Sequence, residues 1–451
     1  MTPNNLVLNK KNTMYISLAF FSILMFWSLY NLYGTYFIDA MLESVYEERY
    51  ERAYIVGIIM ALDNFFALFM LPIFGILSDK TKSRYGRRMP YIVLGMFFAA
   101  IVFPFIAVAY ILNSLAGVII LMLLVLIIMN IYRNPAVALM PDVTPKPLRS
   151  KANGIINLIG YIGAILGFIL FFIFGVEGGL LLGIIGEENA NPLFSLVSFL
   201  IVSGTMLVVM VVLFVKVKEN KLVEEAQEAM ELGEEFSLTL DKVEEGTPLS
   251  KADRRNMAFL LLAVFLWFAS FNAIETFIAV YSDEIFGSEH WAGLINAVLV
   301  LFSILSFIPA AILAQKLGRK WAILLGLITF VLGLVLAYSI NQIHFLLFAG
   351  VAITGIGWAL INVNSYPMMV EMSHKGNVGR YTGYYYTSSM LAQSFTPIIA
   401  GLVILINSNY VVLFPYSIVL GICSLIAFMF ITENKVSVQK IKTGFEAFDV
   451  D

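Results

Sequence analysis

A chain of 451 residues, 60% hydrophobic and only 13% charged, carries too little polar surface for a soluble domain of its size, where about half apolar and a quarter charged is usual. The net charge of −3 gives no signal for nucleic acid, and the single cysteine, Cys423, excludes a disulfide framework or a thiolate metal site. His290, His344 and His374 are too widely spaced for a ligand cluster, so composition points to membrane-spanning helices and to no metal or cofactor.

In chain order, the N-terminus is polar up to Asn12, and no small-residue cleavage site follows the first apolar run. That run is read as a retained helix, not a signal peptide. Twelve spans are predicted, over 13–38, 53–77, 89–112, 114–140, 152–175, 193–216, 256–281, 290–314, 320–339, 343–370, 379–405 and 410–432. Short polar connectors separate every neighbouring pair but one. The exception, 217–255, is acidic, rich in Ala, Glu and Lys, and partly amphipathic. It divides an N-terminal six-helix bundle (1–216) from a C-terminal one with a short tail (256–451). The expected fold is an all-α membrane protein of two pseudo-symmetric six-helix bundles.

Basic residues set the orientation. Lys10, Lys11, Lys80, Lys82, Arg84, Arg87, Arg88, Lys146, Arg149 and Lys151 fall on one side, with the bases of the linker, Lys316, Arg319, Lys320, Lys375, Arg380 and the tail lysines. Arg49 and Arg52 fall on the other, and Arg133 lies within a span. The positive-inside rule makes both termini and the linker cytoplasmic, in a multi-pass protein of the cell membrane.

A weak internal repeat links the two halves. "WSLYNLYGTYFI" (27–38) aligns with "FASFNAIETFIA" (268–279), pairing Asn31 with Asn272 and Thr35 with Thr276. "GILSDKTKSRYGRR" (75–88) aligns with "AILAQKLGRK" (311–320), where Gln315 replaces Asp79, and "NIYRNP" (130–135) with "NVNSYP" (362–367). The matches keep their order and nearly their offset. Such duplication, with a midplane site between halves, is a transporter architecture.

The loop after the second span, "PIFGILSDKTKSRYGRRMP" (72–90), resembles the signature of the major facilitator superfamily, G-x-L-x-D-[RK]-x-G-[RK]-[RK], through Gly75, Leu77, Asp79, Lys80, Gly86, Arg87 and Arg88. Its longer form, with "NPAVALMPDVTPKPLRSKANGIINLIGYIGAILG", resembles the sucrose-transporter-like branch and the glycoside–pentoside–hexuronide:cation symporters. The resemblance implies the major facilitator fold and a cytoplasmic gate made by Asp79, Arg87 and Arg88, with Asp142 as partner. Independently of family, Asp79 sits at a helix C-terminus, where the helix dipole disfavours an anion unless a cation accompanies it.

Ionisable groups inside a bilayer cost on the order of 3 kcal/mol each and are functional candidates. Asp63 in the second span and Glu275 in the seventh are candidate proton carriers. Arg133 in the fourth requires a carboxylate, for which Asp63 and Asp142 are candidates, and a fixed ion pair is the competing reading. The acidic residues that hold sodium in melibiose-type symporters align with Ala67, Leu71 and Arg133, so a sodium site of that kind is absent. The arginine that serves substrate and proton in sucrose transporters aligns with Val137, one turn from Arg133.

Asn31, Tyr30, Asn130, Asn272, Trp358, Asn362, Tyr385, Ser389 and Gln393 lie near mid-depth. Their amides and hydroxyls suit sugar hydroxyls, and their rings suit a pyranose face. Amides within spans also join helices. The expected function is secondary active transport by alternating access, as proton-coupled symport of a neutral sugar or disaccharide-like glycoside. Its partners are the solute, protons and the bilayer, with no nucleic acid, and the monomer is the working unit. No G-x-x-x-x-G-K-[ST] loop supports direct ATP drive. The alternative is proton-driven export of amphipathic compounds. More remote are a non-transporting sensor, whose linker would bind a partner, and a membrane enzyme, for which a metal cluster, paired acids and a G-x-S-x-G elbow are all missing.

Overall fold

The computed structural model describes residues 8–145, 148–240, 251–372 and 378–432, with some side chains in these stretches, Asp63, Leu71 and those of 232–240 among them, outside the description. Twelve long helices follow one another: α1 (Lys10–Leu42), α2 (Arg49–Lys80), α3 (Met89–Ile111), α4 (Leu115–Asp142), α5 (Arg149–Phe174), α6 (Leu193–Lys216), α7 (Lys251–Phe286), α8 (Trp291–Leu317), α9 (Arg319–Tyr338), α10 (Phe345–Glu371), α11 (Val378–Asn407) and α12 (Leu413–Met429). A linker helix, Glu219–Leu240, lies between α6 and α7. Among the described residues, eleven of the twelve are long and apolar enough to cross a membrane. The remaining one is α2, which carries four of the side chains outside the description, Asp63 and Leu71 among them.

Local chemistry sets the helix ends. Asn9 caps α1 by accepting from Asn12 N–H at 3.1 Å, and Ser114 caps α4 by accepting from Gly117 N–H at 3.2 Å, each satisfying an orphan donor of the first turn. Helix α5 stops at Gly175 with φ +51°, a left-handed conformation that glycine adopts without strain. The sequence places α1, α2 and α7 too short at both ends, because their polar termini (Asp39, Arg49 and Asp283 among them) continue the helix past the apolar stretch. The last residues of the expected linker likewise belong to α7, which begins at Lys251.

Small residues let helices approach where no hydrophobic effect drives them together. A Cβ at Gly163 or Gly167 of α5 would collide with the backbone or Ser28 of α1, and one at Gly333 of α9 with Thr354 of α10. Leu94, Ile101, Phe105, Val208, Leu305 and Leu332 face outward, as a lipid solvent permits.

The first six helices meet the last six along three pairs, α2–α11, α5–α8 and α1–α7. The loop α2–α3 and the linker lie on one face of the molecule, termed here the basic face; the loops α1–α2, α5–α6 and α7–α8 lie on the opposite face. The closest approaches between halves fall toward the opposite face. A side chain at Gly57 of α2 would strike the Pro397 carbonyl of α11, one at Gly401 would strike Ala53, and one at Gly293 of α8 would strike Phe168 of α5.

Candidate functional site

A cavity of about 250 Å³ lies at mid-depth between the halves. Leu24, Trp27 and Asn31 come to it from α1, Met60 and Asn64 from α2, and Arg133 from α4. Asn272, Glu275 and Thr276 of α7 and Gln393 and Pro397 of α11 close the other side. Seven of these eleven residues carry amide, hydroxyl or charged groups. On α1, Leu24, Trp27 and Asn31 recur at the three- and four-residue spacing of one helix face; Asn272, Glu275 and Thr276 do the same on α7.

Hydrogen bonds orient several of these groups. Asn272 donates its amide to the Phe268 carbonyl at 2.7 Å, which leaves its oxygen as the free end. The Thr276 hydroxyl donates to the Asn272 carbonyl at 2.8 Å. Asn64 donates across the halves to the Gln393 carbonyl at 3.4 Å. The Arg133 guanidinium stands over the Trp27 ring, 5.8 Å from its centroid, a geometry that a desolvated cation finds favourable. Glu275 is half-buried on the facing wall. The cavity therefore offers donors, acceptors, one cationic and one acidic side chain, and an aromatic ring, with no catalytic nucleophile–base pair among the lining residues.

Of the residues predicted from sequence, Asn31, Asn272, Gln393, Arg133 and Glu275 converge on this cavity. The side chain of Asp63 lies outside the described residues. Tyr30, Asn130 and Tyr385 are not part of the lining. Tyr30 is buried and stacked on Phe26, and Asn130 is buried with its amide donated to the Leu126 carbonyl. Tyr385 is buried and shares a hydrogen bond of 2.8 Å with Ser365, and Ser389 donates back to the Tyr386 carbonyl. Tyr385 thus joins α11 to α10, a role polar groups commonly take within spans, whereas Asn130 and Ser389 bond back along their own helices. Trp358 stands in a ring cluster with Tyr161, Trp267, Phe271 and Phe307, and Asn362 is half-buried four residues further along α10. Sequence reasoning missed Trp27, Asn64 and Thr276. The repeat held a signal for the last, since it pairs Thr276 with Thr35.

On the basic face, Asp142 at the end of α4 receives Arg87 at 2.6 Å and Arg88 at 2.9 Å. Arg88 also pairs with Asp79 and donates to the Ser78 hydroxyl. The four residues expected to form a gate thus meet in one cluster, inside the first six helices. Asp142 is engaged there rather than by Arg133.

On the opposite face the sequence offered only two lone arginines among acids, and the structure turns them into a network. Arg49 of α2 pairs with Asp39 of α1 at 2.9 Å and, across the halves, with Asp283 at 2.8 Å and Glu284 at 3.4 Å of α7. Tyr36 donates to Asp283 at 3.4 Å, and Arg52 supports the Asp39 carbonyl at 3.0 Å. A second bridge is Glu289 of the α7–α8 loop, which accepts from Val176 N–H at 2.8 Å. Burial holds the Glu289 carboxyl above the usual carboxylate range, against the backbone hydrogen bond that favours its ionised form.

The sequence model described as Major Facilitator Superfamily matches residues 16–291 and 283–448. The multidrug resistance protein MdtG of Salmonella choleraesuis (strain SC-B67) is 26% identical over 192 residues, which are 42% of this chain and 47% of that protein. The chain therefore spans about half the length of this curated relative. Among solved structures, a bacterial homolog of the human lysosomal transporter Spinster, inward-facing and occupied, aligns with TM-score 0.65 and 14% identity over 93% of this chain and 95% of that one. The nucleoside transporter NupG aligns with TM-score 0.60 and 15% identity over 93% and 100% of the two chains. The peptide transporter POT in complex with sulfate aligns with TM-score 0.61 and 15% identity over 93% of each. At these identities the likeness is one of fold.

Proposed function

We propose that this chain, which belongs to the major facilitator superfamily of secondary transporters, carries a neutral polar solute of the sugar or glycoside class by proton-coupled symport. The observation that carries the reading is the chemistry of the mid-depth cavity, where Asn31 and Asn64 from the first half face Asn272, Thr276 and Gln393 from the second. Paired amide donors and acceptors match a polyhydroxylated solute, whose hydroxyls each give and take a hydrogen bond. A site built to satisfy such groups rejects an apolar molecule of equal size, because its own buried polar atoms would lose their partners.

In this mechanism the two six-helix halves rock about the cavity, with both termini and the basic face in the cytoplasm. The Arg49 network and the Glu289 bridge join the halves on the opposite face, which supports reading this state as the one that loads or releases solute toward the cytoplasm. Coupling runs through an acid that gains a proton as solute binds. Glu275 lines the cavity and is one candidate; Asp63 is the other, with Arg133 as the cation whose pairing changes on protonation. Arg87, Arg88, Asp79 and Asp142 form the cytoplasmic gate in the alternate state.

The 26% identity to a multidrug resistance protein favours a second reading, proton-driven export of amphipathic compounds. Trp27, Met60 and Leu24 would then supply the apolar side of the same cavity. Reconstitution in proteoliposomes with an imposed pH gradient separates the two. Accumulation of radiolabelled sucrose, maltose or melibiose, abolished by Glu275→Gln or Asp63→Asn while exchange persists, is the expected result. Ethidium extrusion with no uptake of any saccharide would overturn the symport reading in favour of export.

A further inference from the structure

The linker does not merely span the two halves; its first turn is built into the loop that carries the gate arginines. Glu219 is almost fully buried, and its two carboxylate oxygens accept from three consecutive backbone N–H groups: Arg87 at 2.8 Å, Arg88 at 3.0 Å and Met89 at 2.8 Å. These donors open α3, whose N-cap residue, Arg88, supplies no side-chain cap of its own. The first N–H groups of a helix have no partner within it, and its positive end favours an anion. A residue remote in sequence therefore does the work of an N-cap.

The surrounding loop is shaped to admit this carboxylate. Gly86 has φ +113°, a conformation that side chains rarely adopt, and a Cβ there would collide with the Glu219 carboxylate itself. Beside it, the Asn220 amide donates to the Ser83 and Arg84 carbonyls, at 3.2 Å each. From the loop so held, the Arg87 and Arg88 guanidinium groups turn the other way, onto Asp142 and Asp79. Asp142 ends α4, about two and a half helical turns along the same helix from Arg133 of the cavity.

We propose that Glu219 is a positioning residue of the basic-face gate. By completing the N-terminus of α3 it fixes the α2–α3 loop in the geometry from which Arg87 and Arg88 both reach Asp142, and so ties the linker to the transport cycle. The glycine of the "GRR" signature is then required twice, for its backbone angle and for the carboxylate that occupies its side-chain space. The inference rests on alternating access between the halves, and its test distinguishes the two.

Spin labels at Leu77 and Lys316, at the basic-face ends of α2 and α8, report the separation of the halves by electron–electron distance measurement in lipid nanodiscs, in a Cys423→Ser background. The wild type is expected to show two separations whose balance changes with pH. Glu219→Gln and Asp142→Asn should each shift that balance several-fold in the same direction, and the double variant no further than the larger single shift, because one acts through the other. Amide exchange at Arg87–Met89 should quicken about tenfold in Glu219→Gln, as loss of one charge-assisted hydrogen bond implies. If Glu219→Gln accumulates poorly, Asn220→Ala, which spares the carboxylate, should shift the balance in the same direction by less. Faster exchange with unchanged separations, or additive shifts in the double variant, would reduce Glu219 to a local stabiliser and overturn the proposal. A wild type with one separation at every pH would overturn alternating access itself.

Discussion

On the opposite face, Arg49 ties α1 and α2 to α7, from the first six helices to the last six; on the basic face, Arg87 and Arg88 tie α3 to α2 and α4 within the first six. Both clusters are built from arginines and carboxylates, yet they do different physical work. A bond that crosses between halves is made or lost when the halves move, so it biases the equilibrium between states directly. A bond inside one half travels with it and acts by shaping the surface that half presents. The burial differs as well. The Asp39 side chain is 0% exposed beneath Arg49, whereas Arg87 is 43% exposed beside Asp142.

The sharpest way to break this contrast is Arg49→Ala. It removes the hub of the crossing network and leaves buried Asp39 with Arg52 alone, at 3.7 Å. The bond that crosses the halves, to Asp283, joins partners 20% and 23% exposed, and its loss costs the closed contact about 2–3 kcal/mol, so the closed opposite face should give way to an open one. Distances between labels at Glu47 and Asn407 would report this, and a variant that stays closed would show that the network does not hold the halves. Asp142→Asn is expected to move the same equilibrium less, by about 1–2 kcal/mol, as hydrogen bonds to a charged group within one half imply. An effect equal to that of Arg49→Ala would erase the distinction between the faces.

Glu289 sharpens the contrast through pH. Its carboxyl is held above the usual 4.5 by burial in the closed contact, so the closed state binds its proton more tightly than an open, hydrated state does. Closure should therefore strengthen as pH falls through the window from that raised value down to about 4.5, and weaken as the carboxylate ionises above it. Val176 N–H and the Ser288 hydroxyl favour the ionised form and Asp283 opposes it. Glu289→Gln should flatten this part of the Glu47–Asn407 distance profile, and a profile unchanged from wild type would exclude Glu289 as its source. The smallest effect is expected from Arg319→Ala, which removes a pair with Glu371 on the basic face between partners 28% and 35% exposed. Such pairs contribute about 0–1 kcal/mol, so the midpoint of thermal unfolding in detergent should barely move. A large fall would mean that within-half pairs carry more than packing support.

The legibility of these features in the sequence follows from their range. The twelve spans are written in apolar runs, and the basic-face ion-pair cluster in a dense local pattern of Arg87, Arg88 and Asp79. The Asn31–Asn272 pair was legible because the repeat put the same amide at equivalent depth in both halves. Depth alone overpredicted: Asn130 and Tyr385 sit at the right level, but Asn130 bonds back within its own helix and Tyr385 bonds Ser365 of α10. Glu219 was illegible, since nothing in an acidic linker marks one glutamate of many as the cap of a helix 130 residues away. The crossing pair Arg49–Asp283 was hidden for the same reason, being separated by most of the two halves.

By itself, then, the sequence determined which segments are long and apolar enough to enter the membrane, and its weak repeat pointed to two related halves. Both follow from local quantities, the length and apolarity that hydrocarbon demands and the repetition of residues along the chain. Tertiary structure decided which polar groups meet in the cavity, which face is closed and what the linker holds. Those outcomes depend on how each helix is rotated and tilted against its neighbours, and rotation is fixed by packing among residues far apart in the chain.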